Sequence, residues 1–122
     1  MTIMEISPQQ AYQRQRQGVV LIDVREPDEH ALGVPVDALL RPRALLEGDP
    51  AATISDPSTE IMLICGSGRR SLLAAQALAT QGYTRLASVA AGFQGWQAAG
   101  LPVQSWMCCL TRIFFRLARL SP

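Results

Sequence analysis

The chain has 122 residues, 48% of them hydrophobic, a size that predicts one domain with its own buried core. Three cysteines and a start without an apolar run argue against a disulfide scaffold and an export signal, so we expect a reducing, cytoplasmic environment. The net charge is +1, but all ten acidic residues lie between Glu5 and Glu60, whereas residues 61–122 hold six arginines, which favours an anionic ligand near the second half.

The N-terminal part of the chain predicts a short helix followed by a buried strand. Ser7 suits the N-cap position, Pro8 fits the first helical position, and Gly18 marks the end of the helix. The aliphatic run VVLID (19–23) has the length and composition of a buried strand. The following segment, EPDEHALG, predicts a turn or short helix that ends at Gly33.

The middle of the chain mixes weak and strong signals. VDALL (36–40) is a weak strand candidate, and RPRALLEGDPAATI (41–54) has a helical pattern that Gly48 and Pro50 interrupt. EIMLI (60–64) is a second run typical of a buried strand. This strand leads directly into a cysteine.

The second half continues the alternation of helices and strands. RRSLLAAQALATQGY (69–83) has apolar residues at helical spacing and a glycine near its end. LASVA (86–90) predicts a strand, and GFQGWQAAG (92–100) predicts a short helix. Because strands that alternate with helices pair in parallel, the sequence predicts an α/β fold with helices on both faces of the sheet.

The candidate site is the loop between the second buried strand and the long helix. The loop starts at Cys65, which is followed by three small residues and two arginines: Gly66, Ser67, Gly68, Arg69 and Arg70. The small residues allow backbone N–H groups to turn inward as an anion-binding nest beside a helix N-terminus. Two cations are unfavourable at a helix start, so we expect an anion to offset them. In this field the pKa of the thiol should fall and leave a nucleophilic thiolate.

Other interpretations of this loop can be weighed on the residues. A lone cysteine after an apolar strand is often a core residue, but the segment GSGRRS favours a reactive one. A nucleotide loop is disfavoured, because both the P-loop ending and the dinucleotide fingerprint are missing. Cys65 is isolated, and Cys108 and Cys109 are adjacent, so a zinc site lacks its ligand spacing. We expect no metal and no organic cofactor.

Three motifs together resemble the single-domain rhodaneses, a sulfurtransferase family whose loop often reads Cys-x-Ser-Gly-x-Arg-Ser. The motifs are LIDVREPDEHALG (21–33), IMLICGSGRRS (61–71) and AGFQGWQAAGLPV (91–103). They occur in the family's order and approximate spacing, and the resemblance covers about residues 5–104. It implies a rhodanese-like domain over residues 1–104 with a central, parallel, five-stranded sheet.

The resemblance also implies the chemistry. Cys65 would be the nucleophile, the loop from Gly66 to Arg70 the substrate cradle, and Asp23 and Arg25 structural supports. The thiolate would take the outer sulfur of thiosulfate or another persulfide donor, release sulfite and hold a persulfide. Cyanide or a thiol, which can belong to a protein, would then accept that sulfur. The expected partners are thus a small anionic donor and a thiol acceptor, without nucleic acid.

One stretch departs from the family's pattern. The family commonly continues with a His-Ile-Pro-Gly-Ala run, whereas this chain reads GVPVDALL, which leaves the path after Gly33 open. The single histidine, His30, is interpreted as a solvated helix residue. No Cys–His dyad is therefore expected, and activation of the thiol must rest on backbone dipoles and arginines.

Three other function classes remain as alternatives, and one of them, a membrane-tethered sulfur carrier, depends on the last segment of the chain. Phosphatases and arsenate reductases of the same fold use a cysteine and an arginine separated by five residues, but here four residues separate Cys65 from Arg70. The shorter loop fits a sulfur atom better than a phosphate. A non-catalytic sulfur-carrier or regulatory module is another alternative, although such modules typically lose the cysteine that this chain keeps.

The last segment, SWMCCLTRIFFRLARLSP (105–122), lies outside the resemblance. If it is helical, its apolar residues share one face and its arginines another, an arrangement typical of a basic amphipathic helix. Its apolar stretch is shorter than the roughly 20 residues needed to span a bilayer. Contact with a membrane surface, binding of a partner and packing on the domain remain open.

Overall fold

The computed structural model describes residues 3–105, which form seven strands and five helices. The strands are β1 (Met4–Ile6), β2 (Val20–Asp23), β3 (Val34–Pro35), β4 (Leu39–Leu40), β5 (Ile61–Ile64), β6 (Leu86–Val89) and β7 (Val103–Gln104). The helices are α1 (Pro8–Arg16), α2 (Pro27–His30), α3 (Arg43–Gly48), α4 (Arg69–Thr80) and α5 (Gly92–Ala98). A 3-10 turn, Pro50–Ala52, follows α3.

The central sheet has five strands in the order β1-β6-β5-β2-β4, and every pair within it is parallel. This arrangement confirms the predicted α/β fold. Asp23 at the end of β2 lies opposite Ile64 at the end of β5, and the Val24 N–H donates to the Ile64 carbonyl at 2.9 Å. The carboxyl ends of the two strands are therefore level, and Val24 and Cys65 are the first residues after them.

Helices cover both faces of the sheet, because alternate residues of each strand point to opposite sides. On one face Ile22 and Leu63 pack with α3 and α4, which contribute Leu46 and Leu78. On the other face the strands pack against α1 and α5; the residues there include Leu21, Met62, Ile64, Ala11, Phe93 and Trp96. The central strand β5 is apolar along its whole length because both of its faces are buried.

The first helix begins as its sequence predicts. Ser7 is the N-cap: its hydroxyl accepts from the Gln10 N–H at 3.1 Å, and the Gln10 side chain accepts from the Ser7 N–H at 2.9 Å. Pro8 occupies the first turn, where a missing N–H leaves no hydrogen bond unmade. The predicted helix start is therefore confirmed.

Three short strands were not predicted. β1 pairs with β6 at the edge of the central sheet, and its first two residues, Met4 and Glu5, are exposed. β3 and β7 form a separate antiparallel pair, with Val34 opposite Gln104 and Pro35 opposite Val103. This pair fixes the path after Gly33, where the sequence departs from the family's pattern. Two or three residues are too short to show a period.

The predicted basic helix at 105–122 lies outside the described residues, apart from Ser105. Among the helices that the structure does describe, none combines the length and the apolar character needed to cross a membrane.

Candidate active site

The thiol of Cys65 lies beneath its own loop. Cys65 directly follows β5, α4 starts at Arg69, and Cys65 has no exposed surface. Its Sγ accepts a hydrogen bond from the Gly68 N–H at 3.1 Å and lies 3.4 Å from the Ser71 hydroxyl oxygen. The strand end, the turn and the first turn of the helix thus surround one sulfur atom.

Two opposing effects set the pKa of this thiol. Burial raises the pKa of Cys65, while hydrogen bonds from the Ser71 hydroxyl and from loop N–H groups, including that of Gly68, lower it. The hydrogen bonds prevail, and the pKa lies below its ordinary value. This is the direction expected from the sequence, and the contact with the Ser71 hydroxyl is an addition that the sequence did not indicate.

A pair of buried serine hydroxyls stands behind the sulfur. The Ser71 and Ser88 oxygens are 2.8 Å apart, and the Ser71 hydroxyl donates to the Gly68 carbonyl at 3.1 Å. When the sulfur of Cys65 is ionised, the Ser71 hydroxyl can turn to donate to it, while Ser88 donates to Ser71. The only sequence signal for Ser88 is a hydroxyl within the otherwise apolar strand LASV.

The start of α5 holds the loop from the other side. The Phe93 N–H donates to the Cys65 carbonyl at 2.7 Å, and the Gln94 N–H donates to the Gly66 carbonyl at 3.1 Å. Gly92 makes this approach achievable: its φ is +52°, and a Cβ there would lie 2.7 Å from the Gly66 carbonyl carbon. Gly92, the first glycine of the AGFQGW motif, therefore belongs to the site, although the sequence indicated only a short helix.

The two arginines of the loop have different surroundings. Arg70 donates from both terminal nitrogens to the Glu29 carboxylate, at 2.6 and 2.8 Å, whereas Arg69 is exposed. The hydrogen bonds from Arg70 lower the pKa of Glu29 to about 2. An anion was expected beside the arginines, and in this structure a carboxylate of the chain itself occupies that place. Glu29 was not predicted as a site residue, because its partner lies 41 positions away.

Asp23 and Arg25 form a buried pair next to the loop. Arg25 Nη2 donates to Asp23 Oδ2 at 2.8 Å and to the Gly33 carbonyl at 2.8 Å, and the guanidinium lies 4.2 Å from the ring centroid of Phe93. Burial raises the pKa of Asp23, but the contacts with His30 and Arg25 outweigh it and lower the pKa overall. The pair joins the end of β2 to β3 and α5.

The prediction that His30 is solvated was wrong. His30 is only 4% exposed, and its Nε2 lies 3.3 Å from Asp23 Oδ1. The helix that carries it has four residues, too few for a periodic pattern to indicate which side faces the sheet. His30 thus packs on the carboxylate of Asp23.

No three His, Cys, Asp or Glu side chains within residues 3–105 are grouped so that they could hold a metal ion. The predicted loop residues, Cys65 to Arg70, lie together at the carboxyl end of the sheet. Asp23 and Arg25 lie beside them at the end of the neighbouring strand. The arrangement can stabilise a thiolate and present positive charge to an anion.

Comparison with known proteins gives one consistent family. A model described as the rhodanese-like domain matches residues 7–99. Thiosulfate sulfurtransferase GlpE of Haemophilus influenzae (strain PittEE) is 34% identical over 106 residues, which cover 86% of this chain and 98% of that protein. Thiosulfate sulfurtransferase GlpE of Actinobacillus pleuropneumoniae serotype 3 is 34% identical over 107 residues, which cover 85% and 95% respectively.

Solved structures with the same fold include two of moderate sequence identity. The rhodanese-related protein from Thermoplasma volcanium has a TM-score of 0.71 at 27% identity, over 83% of this chain and 97% of that chain. A protein from Rhodopseudomonas palustris, described as a "Possible Tyrosine Phosphatase", has a TM-score of 0.73 at 28% identity, over 84% and 85%.

The contact between α5 and the loop predicts a large effect at Gly92. Gly92→Ala should lower the free energy of unfolding by about 2–4 kcal/mol, because the new methyl group meets loop backbone that cannot move aside. Gly48→Ala is the matched control: nothing lies within 4 Å of a Cβ there, and the change should be neutral or stabilising. Chemical denaturation measures both, and equal stabilities would contradict the proposed close approach.

The hydrogen bonds to Sγ predict how Cys65 titrates. Ser71→Ala should move the midpoint of Cys65 alkylation to higher pH and slow alkylation at neutral pH severalfold, because the thiolate loses a donor. Peptide mass spectrometry after iodoacetamide treatment distinguishes Cys65 from the other cysteines. Ser58→Ala, at an exposed position, should behave as the wild type. Equal midpoints in wild type and Ser71→Ala would show that the serine does not tune the thiol.

Proposed function

Because this chain belongs to the rhodanese-like family, we propose that it is a sulfurtransferase that carries sulfur as a persulfide on Cys65. Thiosulfate sulfurtransferases are similar to it over nearly their whole length, which supports this activity at the level of the family. The observation that carries the proposal is the sulfur of Cys65, hydrogen-bonded to the Gly68 N–H at 3.1 Å at the start of a helix. A thiolate held in this way is a nucleophile that needs no separate base.

The proposed reaction has two displacements. In the first, the Cys65 thiolate attacks the outer sulfur of thiosulfate or of another persulfide donor. The sulfur–sulfur bond of the donor breaks, and with thiosulfate the leaving group is sulfite, which takes the bonding electron pair. In the second, cyanide or a thiolate attacks the terminal sulfur of the persulfide and restores the Cys65 thiolate. Neither step requires a metal or an organic cofactor.

Each residue of the loop has a proposed role in these steps. The N–H groups of Gly66, Ser67 and Gly68 would hold the negative persulfide sulfur. Arg70, and to a lesser extent Arg69, would bind the sulfonate of the donor and stabilise departing sulfite. Asp23 and Arg25 would support the loop without touching the reacting atoms, since their contacts run to the Gly33 carbonyl and the Phe93 ring.

Access to Cys65 requires a local movement. The residue has no exposed surface, whereas Gly66 is half-buried and Ser67 is exposed. Gly66 and Ser67, which directly follow Cys65, are therefore the most accessible residues between the sulfur-bearing residue and Gly68. A donor can reach Sγ if this short segment shifts, without any change in the sheet or in α4.

The alternative of phosphate chemistry has one observation in its favour. A protein of similar structure, at 28% identity, is described as a "Possible Tyrosine Phosphatase". Only four residues separate Cys65 from Arg70 in this chain, and the Gly68 N–H donates directly to the sulfur. A ring this tight suits a sulfur atom better than a tetrahedral phosphate.

A purely regulatory role is disfavoured by the retained Cys65, whose pKa is lowered. The proposal includes a reducing, cytoplasmic location, where the thiol stays free.

Persulfide formation tests the proposed function directly. Incubation with thiosulfate should add about 32 Da to the intact mass, one sulfur atom on the nucleophile, and cyanide should remove it. Cys65→Ser should gain no mass and lose thiocyanate production completely, because an unactivated hydroxyl forms no persulfide. Hydrolysis of an aryl phosphate by the wild type, without any gain of sulfur, would overturn the proposal and favour the phosphatase.

The different surroundings of the two arginines predict different kinetics. Arg70→Ala should raise the KM for thiosulfate about tenfold and lower kcat, because the donor loses a bidentate partner near the sulfur. Arg69→Ala should change mainly the salt dependence, since this side chain is exposed. Steady-state thiocyanate assays at two ionic strengths measure both effects. Equal effects of the two substitutions would show that the arginines act only as a diffuse field.

A further inference from the structure

The Glu29–Arg70 ion pair lies across the loop that covers Cys65. A Cβ on Gly66 would be 3.1 Å from Arg70 Nη2 and 4.0 Å from Glu29 Oε2. Gly66 is the residue next to the nucleophile, so the ion pair borders the path to the sulfur. The side chains of Glu29 and Arg70 are themselves 31% and 39% exposed, which leaves both within reach of a dissolved anion.

The carboxylate of Glu29 accepts hydrogen bonds from the same N–H groups of Arg70 that a sulfur-donating substrate would need. Arg70 Nη1 donates to one oxygen of Glu29 at 2.6 Å and Arg70 Nη2 to the other at 2.8 Å. This is the paired geometry in which a guanidinium also binds the oxygens of a sulfonate. A donor that binds Arg70 must therefore displace this carboxylate or share the guanidinium with it.

We propose that Glu29 is a specificity-determining residue, a resident anion on Arg70 that favours sulfur donors with one negative charge over donors with two. This inference rests on the proposed function, because it assumes that donors approach Cys65 past Arg70. The repulsion between the carboxylate and a donor grows with the charge of the donor, whereas the sulfur chemistry is the same for both kinds.

The carboxylate of Glu29 is charged at neutral pH. The contacts with Arg70 lower the pKa of Glu29 to about 2, so the residue is ionised at neutral pH. It also accepts a hydrogen bond from the Glu26 N–H at 3.1 Å, which holds it at the start of α2. Two independent contacts thus fix the negative charge beside the loop.

The expected effect of the Glu29 charge on donor binding is modest, because the Glu29–Arg70 ion pair is partly exposed to water. With water-like screening, one unit charge at 5–6 Å changes binding of a singly charged ligand about threefold, and of a doubly charged ligand about tenfold. Thiosulfate carries two negative charges and methanethiosulfonate carries one. Both offer an outer sulfur to the Cys65 thiolate, and the leaving groups, sulfite and methanesulfinate, each take the bonding electron pair.

The experiment compares the two donors in charge-neutral variants of Glu29. In Glu29→Gln, kcat/KM should rise about tenfold for thiosulfate and about threefold for methanethiosulfonate, so the ratio of the two changes about threefold. Glu29→Ser removes the charge by a second route and should change the ratio in the same direction. Glu29→Asp keeps the charge and should retain the wild-type ratio.

Asp28→Asn is the matched control, because it removes one negative charge from an exposed position on the same helix. It should leave the donor ratio unchanged. A change of the ratio in this variant would show that surface charge in general, and not the charge of Glu29, produces the effect. A structural role of Glu29 would lower activity with both donors equally. An unchanged ratio in the folded neutral variants, or an equal change in Asp28→Asn, would overturn the inference.

The outcome also separates this inference from the proposed function. If the wild-type protein forms no persulfide on Cys65 with either donor, the proposed function itself fails. If the wild type forms the persulfide with both donors and the Glu29 variants keep its donor ratio, only the role of Glu29 is rejected.

Discussion

The buried ion pair between Asp23 and Arg25 connects the elements that surround the loop of Cys65. Asp23 is wholly buried, and a carboxylate in that position is tolerated only when it is paired and hydrogen-bonded. Arg25 satisfies it and also binds the Gly33 carbonyl and covers the ring of Phe93. The N–H of Phe93 in turn holds the Cys65 carbonyl at 2.7 Å. Loss of either charge would leave the other buried without its charge partner in this pair and would loosen the support of the loop.

The geometry of the loop follows from where the strand ends and the helix begins. Parallel pairing brings the end of β5 to the edge where α4 starts, so that the helix N–H groups face the sulfur of Cys65. Gly68 has a φ of +105°, and a Cβ there would lie 3.3 Å from the backbone of Val89 and of Ala91. Only glycine turns the chain this tightly without strain. The small residues therefore have a direct chemical purpose, because the turn aims the Gly68 N–H at Sγ.

The sequence predicted what depends on local periodicity and missed what depends on contacts between distant segments. The buried run at β5 and the long helix α4 were found because their apolar patterns are strong. Glu29 was missed because its partner is 41 positions further along the chain, and no local pattern relates the two. Ser88 was missed for the same reason, since it meets Ser71 only after strand β6 and helix α4 pack together. His30 was assigned to solvent because its helix is too short to define a buried side.

The ion pair between Glu29 and Arg70 connects α2 to the start of α4. Its contribution to the stability of the fold depends on pH. The folded-state pKa of Glu29 is about 2, below the ordinary value of 4.5. A lowered pKa contributes stability above the ordinary value, and this contribution is lost as the pH falls from about 4.5 toward 2. The carboxylate is therefore charged at neutral pH. The same residue can therefore stabilise two helix starts and oppose highly charged donors without any change in its own protonation.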